Sequence, residues 1–80
     1  MPASQYKKKY YFSYIKELKS GGLGKKRYSK EYSSLHKAMK DARQRQKQGK
    51  ILQADFIRKK SPVSHKHVST LGLSGRIKKA

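Results

Sequence analysis

The chain contains no cysteine, so neither a disulfide framework nor a cysteine-based zinc site can staple the fold. Acidic residues are nearly as scarce: Glu17, Glu31, Asp41 and Asp55 are the only 4, against 22 Lys and Arg. Each sits among cations that favour its ionised form, so none is placed to act as a general acid. No Ser or His stands in a recognisable triad context either, and catalysis is not expected. Long apolar runs are missing as well. The longest, Tyr10-Tyr11-Phe12, is far short of the ~18 residues of a membrane span, and no basic stretch precedes an apolar one as in a secretory leader. The expected setting is intracellular, cytoplasm or organelle, without a membrane partner. Neither G-x-G-x-x-G nor G-x-x-x-x-G-K-[ST] spacing occurs, so Gly21-Gly22-Leu23-Gly24 reads as a turn and not as a phosphate-cradling loop. No cofactor and no small-molecule substrate is expected, and no internal repeat is visible at any period.

What the chain does have is positive charge: formally +18, with a sequence pI near 10.4. Cations this dense repel one another unless a polyanion neutralises them, so nucleic acid is the first expected partner, ahead of an acidic protein or anionic lipid. Only 34% of the 80 residues are hydrophobic. A chain of this size forms one domain and buries only ~60% of its unfolded surface, so a partner is expected to complete its stability. The cations gather as Lys7, Lys8 and Lys9, then Lys25, Lys26 and Arg27, then Lys40, Arg43, Arg45 and Lys47, then Arg58, Lys59 and Lys60, and lastly Arg76, Lys78 and Lys79, with Lys66 between the last two groups. Any one cluster is most simply a solvated surface. Together they suit a phosphate backbone, where each neutralised phosphate releases counterions and many weak contacts add up.

Six Tyr and two Phe are interleaved with these cations, and rings in a basic sheet can stack on unpaired bases. Phe12 and Phe56 read first as core. Tyr11 and Tyr28 are balanced between packing and base stacking, and Tyr6 and Tyr10 are open. His65-Lys66-His67, even with His36, does not supply the four ligands in fixed geometry that a structural zinc needs. Beside phosphates, protonated imidazoles would simply add charge.

The pattern along the chain gives the expected elements. Residues 6–18 form an aromatic strand, with Tyr10, Phe12 and Tyr14 on one face and Tyr11, Ser13 and Ile15 on the other. The glycines at 21, 22 and 24 turn it into a second strand, in which Lys26, Tyr28, Lys30 and Tyr32 alternate with Lys25, Arg27, Ser29 and Glu31. Ser33 or Ser34 caps a helix whose Leu35, Ala38, Met39 and Ala42 share one side and whose Lys37, Lys40, Arg43 and Lys47 share the other, ending at Gly49. Residues 50–58 form a third strand, with Leu52, Ala54 and Phe56 opposite Ile51, Gln53, Asp55 and Ile57. From Lys59 the pattern dissolves. The expectation is therefore an α+β domain at 6–58, a three-stranded antiparallel sheet in the order strand-strand-helix-strand with one packed helix, and an extended basic tail at 59–80 that orders only on a polyanion.

Three families share parts of this pattern. Arg27-Tyr28-Ser29-Lys30-Glu31-Tyr32, followed by Leu35, the helix and Gly49, resembles the strand-to-helix step of the small archaeal ribosomal protein LX, which implies ribosomal RNA as partner. Tyr10-Tyr11-Phe12, the glycine turn and the helix are similar to an integrase arm-binding domain, which implies a three-stranded sheet reading DNA. Here the third strand is expected after the helix. Tyr32, Leu35, Met39 and Ala42, then Gly49-Lys50-Ile51, are similar to the small linker domain of phycobilisome rods, which implies an acidic protein partner. Taken together, the expectation is a non-catalytic nucleic-acid-binding protein, RNA before DNA and foremost a structural ribosomal protein, with other proteins of a large assembly as further partners. The DNA-reading arm domain and the basic linker are the alternatives.

Overall fold

Aromatic and β-branched residues, with Tyr10, Phe12 and Tyr14 on one face and Tyr11, Ser13 and Ile15 on the other, produce β1, Lys9–Ile15. The computed structural model describes residues 8–16 and 20–79. After β1 come β2 (Arg27–Tyr28), α1 (Leu35–Lys47), β3 (Gln53–Lys59), β4 (His65–Leu71) and β5 (Ile77–Lys79). They form one α+β unit, a five-stranded sheet in the order β2-β1-β3-β4-β5 with every pairing antiparallel. The three-stranded expectation is corrected by two added strands, and they are built from the segment expected to be a tail. Residues 65–79 carry the outer half of the sheet, and Leu71 is fully buried.

The helix forms where capping and periodicity coincide. Ser34 is extended (φ −143°) and its hydroxyl accepts from the Lys37 N–H at 3.2 Å, while Arg45 and Lys47 in the last turn offset the negative end of the helix dipole. Gly49, at φ 75°, makes the exit. Ala38 and Ala42 are buried and Leu35 and Met39 half-buried. Two alanines one turn apart let the helix backbone come close to the sheet, against Phe12, Ala54, Phe56 and Leu71. Gln46 then ties the layers together, its Nε2 donating to the Leu52 carbonyl at 2.6 Å and the Gly72 carbonyl at 2.8 Å. A single side chain thus anchors both the entry to β3 and the turn between β4 and β5.

Two register shifts determine which residues reach which face. Ser13 pairs with Tyr28, but Tyr10 pairs with Tyr32, so the second segment has one residue more than β1 between those pairs. Ser29 sits in the irregularity, its Oγ accepting from the Phe12 N–H at 2.9 Å and donating to the Lys30 carbonyl at 2.8 Å. A bulge of this kind reverses side-chain parity. The expected common face for Tyr28 and Tyr32 is corrected accordingly: Tyr28 lies on the face away from the helix, and Tyr32 stacks on Phe12 in the core. The second shift is in the β3–β4 ladder, where Phe56 pairs with Ser69 but Ile57 with His67, leaving Val68 as the extra residue.

The third strand also begins later than expected. Ile51 and Leu52 precede it, Ile51 closing the core from outside the sheet and the Leu52 N–H donating to the Ile15 carbonyl at 2.8 Å. Ala54 and Phe56 face the helix as the alternation predicts.

Candidate nucleic-acid interface

Because α1 packs on the Phe12 and Phe56 side, the opposite face of the sheet has no covering element among the described residues. Strand parity brings Lys9, Tyr11 and Ser13 of β1, Tyr28 of β2, Asp55, Ile57 and Lys59 of β3, His65, His67 and Thr70 of β4, and Lys78 of β5 to this open face. The Val68 bulge puts both imidazoles here, since an unbroken register would present Lys66 and Val68 instead.

Its central feature is an aromatic row. The Tyr11 ring lies 6.2 Å from that of Tyr28 on one side and 5.6 Å, edge-on, from the His65 imidazole on the other, and its hydroxyl meets His65 Nδ1 at 2.7 Å. Tyr28 is 63% exposed, so its ring offers a face to solvent. Partial burial, then the neighbouring Tyr28 and Glu31, push the Tyr11 hydroxyl above the ordinary tyrosine value, with Lys59 pulling the other way. At one end of the row Glu31 holds two cations, Lys59 Nζ at 2.9 Å and Lys9 Nζ at 3.7 Å. The Lys59 hydrogen bond is the main reason the Glu31 carboxyl lies below its usual value.

Below the row, Ser13, Lys26, Asp55, Ile57 and His67 line a concavity of ≈ 240 Å³. The Thr70 hydroxyl donates to Asp55 Oδ1 at 3.0 Å, and His67 Nε2 lies 2.8 Å from Thr70 Oγ1 and 3.4 Å from Asp55 Oδ1. With the Thr70 hydrogen committed to Asp55, His67 Nε2 carries a hydrogen toward them.

The expected site residues divide between two surfaces. Lys9, Tyr11, Lys26, Tyr28, Lys59 and Lys78 belong to the open face. Lys8, Lys25 and Lys60 are exposed in the adjoining segments, and Arg27 pairs with Tyr14 and so faces the other way. Lys40, Arg43 and Lys47 are exposed on α1, where with His36, Gln44, Met39 and Ile77 they line a groove of ≈ 500 Å³ between the helix and β5. Arg76 is exposed in the β4–β5 turn, and Lys66 and Lys79 pair with Arg58 and Ser69 on the helix-bearing side. Arg45 and Arg58 are more structural than their clusters suggest. Arg45 lies over the Phe12 ring at 5.6 Å, and Arg58 is half-buried with its Nε enclosed and unpartnered. Lys7 lies outside the described residues.

Sequence reasoning missed His65, His67, Asp55 and Ser13 as parts of a surface. The signal for Ser13 and Asp55 was present in the alternation, whereas the imidazoles depend on a bulge with no mark in composition. Among the described residues no group of three or more His, Asp and Glu gathers as a metal site, and no helix is long and apolar enough to cross a membrane. Compared with protein-family models, with curated proteins and with solved structures, the chain matches none.

Proposed function

We propose that this protein binds RNA without catalysing a reaction, as a structural component of a large ribonucleoprotein assembly, ribosomal RNA being the foremost candidate. The observation that carries the reading is the open sheet face, where Tyr28, Tyr11 and His65 form an aromatic row between Lys9, Lys26, Lys59 and Lys78. Rings on an uncovered sheet give unpaired bases a stacking platform, and flanking cations follow the phosphates. The second cationic surface, Lys40, Arg43 and Lys47 along the groove between α1 and β5, supports a protein contacted by polyanion from two directions, as within a folded RNA, rather than one seated on a single strand.

Sheet width favours RNA over groove-read DNA. Five strands at ~4.8 Å spacing span about 19 Å, wider than the ~12 Å major groove that admits a narrower β-ribbon. The basic-linker reading, drawn from charge and from the helix and Gly49-Lys50-Ile51 pattern, leaves the aromatic row without a use.

The test is a set of binding isotherms on single-stranded RNA, structured RNA and duplex DNA at several salt concentrations. If ~6–10 phosphates are neutralised, affinity for RNA falls by ~10³–10⁵ between about 50 and about 200 mM salt, with unpaired RNA preferred to duplex DNA. Salt-independent binding, or none at low salt, overturns the proposal. Structured RNA in excess also strips the protein from an acidic-protein column, and failure to do so transfers the reading to a linker of acidic proteins.

A further inference from the structure

The concavity beneath the aromatic row has chemistry that phosphate binding does not use. Its volume, ≈ 240 Å³, is below the ~300–1,000 Å³ typical of sites that enclose a whole small-molecule ligand, so it suits one part of a larger molecule. Ser13 lines it while only 1% exposed, and its Oγ has no hydrogen-bond partner. A buried hydroxyl left unpaired costs free energy unless something arrives to pair with it. Asp55, directly across from Ser13, is held from one side only. Thr70 and His67 both engage Oδ1, and Oδ2 has no partner among the described residues. Lys26 supplies a cationic donor at the rim, and Ile57 an apolar wall.

From this arrangement we propose that the concavity is a base-recognition pocket selective for guanine in single-stranded RNA. The inference rests on the RNA-binding reading above and assigns a specificity to the same face.

Complementarity of donors and acceptors decides between the bases. An ionised carboxylate only accepts. The Watson–Crick edge of guanine presents two adjacent donors, N1–H and the N2 amino group, beside the O6 acceptor. Asp55 can accept from the first two while Lys26 donates to O6. Adenine and cytosine each offer one amino donor next to a bare ring-nitrogen acceptor, which would face the carboxylate with lone pair against lone pair. Uracil offers a single N–H between two carbonyls. The Thr70 hydrogen bond, itself backed by His67 against Thr70 Oγ1, fixes the carboxylate before the base arrives. Neighbouring bases of the same strand would stack on Tyr28 and Tyr11, next to the pocket in β2 and β1. Phosphate is a poor occupant, since the pocket's own carboxylate would repel it.

The deciding experiment measures binding of uridine-rich hexanucleotides that carry one central guanosine, inosine, adenosine or cytidine, at fixed low salt. Guanosine is expected to bind about 10-fold or more tighter than adenosine or cytidine, with inosine, which lacks only the N2 amino group, in between. A hydrogen-bonded base pair contact of this kind discriminates by ~1–3 kcal/mol, or roughly 5- to 150-fold. Asp55→Asn should abolish the guanosine preference, bringing guanosine binding to the level of adenosine and cytidine. Because Asp55→Asn also disturbs Thr70, Lys26→Gln at the exposed rim provides a second variant, expected to reduce guanosine binding several-fold more than adenosine binding. Equal affinity for all four oligonucleotides, or a preference unaffected by both variants, overturns the pocket and leaves the RNA-binding proposal standing. No binding of any oligonucleotide overturns both.

Discussion

Phe12 of β1 and Phe56 of β3 are direct cross-strand partners with ring centroids 5.9 Å apart, and each of the sheet's two register shifts lies beside this pair. On one flank the chain between Tyr28 and Tyr32 carries an extra residue opposite β1, and on the other Val68 is the extra residue opposite β3. Bulges sharpen the local twist, which allows both outer segments to turn around two large rings that the alanines of α1 cover from above. Core and candidate interface are therefore coupled, because the shifts beside the phenylalanines also send Tyr28, His65 and His67 to the open face.

Substitutions on the two faces should separate cleanly. Phe12→Ala or Phe56→Ala removes a fully buried ring and is expected to cost about 3–5 kcal/mol, enough to unfold a core this small in a urea titration. Tyr28→Ala should leave the urea midpoint nearly unchanged and weaken binding to single-stranded RNA by about 1–3 kcal/mol for each stacked base lost. Unchanged RNA affinity in Tyr28→Ala would remove the aromatic row from the interface.

The segment from residue 60 onward is expected to be integral to the domain. It supplies β4 and β5 and the buried Leu71, and its first turn is closed by the Lys60 N–H donating to the Ser64 carbonyl at 2.8 Å. Amides of β4 that bond to β3 should exchange slowly in the RNA-free protein, and a chain ending at Lys59 should lose its cooperative unfolding transition. Rapid exchange throughout β4 together with a stable truncated chain would restore the picture of a tail.

That correction shows which parts of the fold are legible in the sequence. The helix can be read because Ser34, the four-residue spacing of Ala38 and Ala42, and Gly49 agree with one another. The central strands can be read because Phe12, Ala54 and Phe56 keep period two without interruption. β4 hides its pattern: His65, Lys66 and His67 are all exposed, and Val68 shifts the phase just before Ser69 and Leu71 turn inward. Tyr28 and Tyr32 mislead in the same way, since four residues apart in a regular strand would share a face. For the candidate site, Tyr11, Tyr28 and the surrounding lysines follow from composition and alternation. The ring contacts to His65 and the Asp55, Thr70 and His67 cluster arise from contacts made across strands far apart in the chain.

Glu31 should act as a brake on the proposed interface. It neutralises part of the charge on Lys59 and Lys9, both on the open face. Glu31→Gln should tighten RNA binding and steepen its salt dependence by up to about two phosphate contacts. A carboxyl held down chiefly by the Lys59 hydrogen bond should also return toward its ordinary value in Lys59→Gln, which a carbon-detected titration of the Glu31 side chain would follow. Weaker RNA binding in Glu31→Gln would mean that the acid positions these lysines rather than competing for them.

Tyr32 makes stability depend on alkaline pH in a direction that can be worked out in advance. The residue is 7% exposed and stacked on Phe12, and its hydroxyl, without a well-formed hydrogen bond, interacts with the Asp41 carboxylate. Burial, followed by the nearby Asp41 carboxylate, pushes its pKa up to about 12, against 10.0 for an ordinary tyrosine, with Arg45 pulling the other way. Below about pH 10 the hydroxyl is protonated whether the chain is folded or not, and its contribution is fully present. As pH rises further, the unfolded chain releases the proton while the folded protein retains it, so folding stability falls until the folded value near 12 is passed. Two units correspond to roughly 2–3 kcal/mol. Lysines and the other tyrosines titrate in the same range, so the informative quantity is the difference between the parent protein and Tyr32→Phe in urea unfolding from about pH 8 to about pH 12. Near pH 8 the two proteins should differ little, because the hydroxyl removed is buried with only the Asp41 carboxylate beside it. An advantage for the variant should then grow through the alkaline range as the parent loses stability that the phenylalanine keeps. A difference between the two proteins that stays constant with pH would show that Tyr32 ionises as readily folded as unfolded, and that neither its burial nor Asp41 acts on the hydroxyl as described.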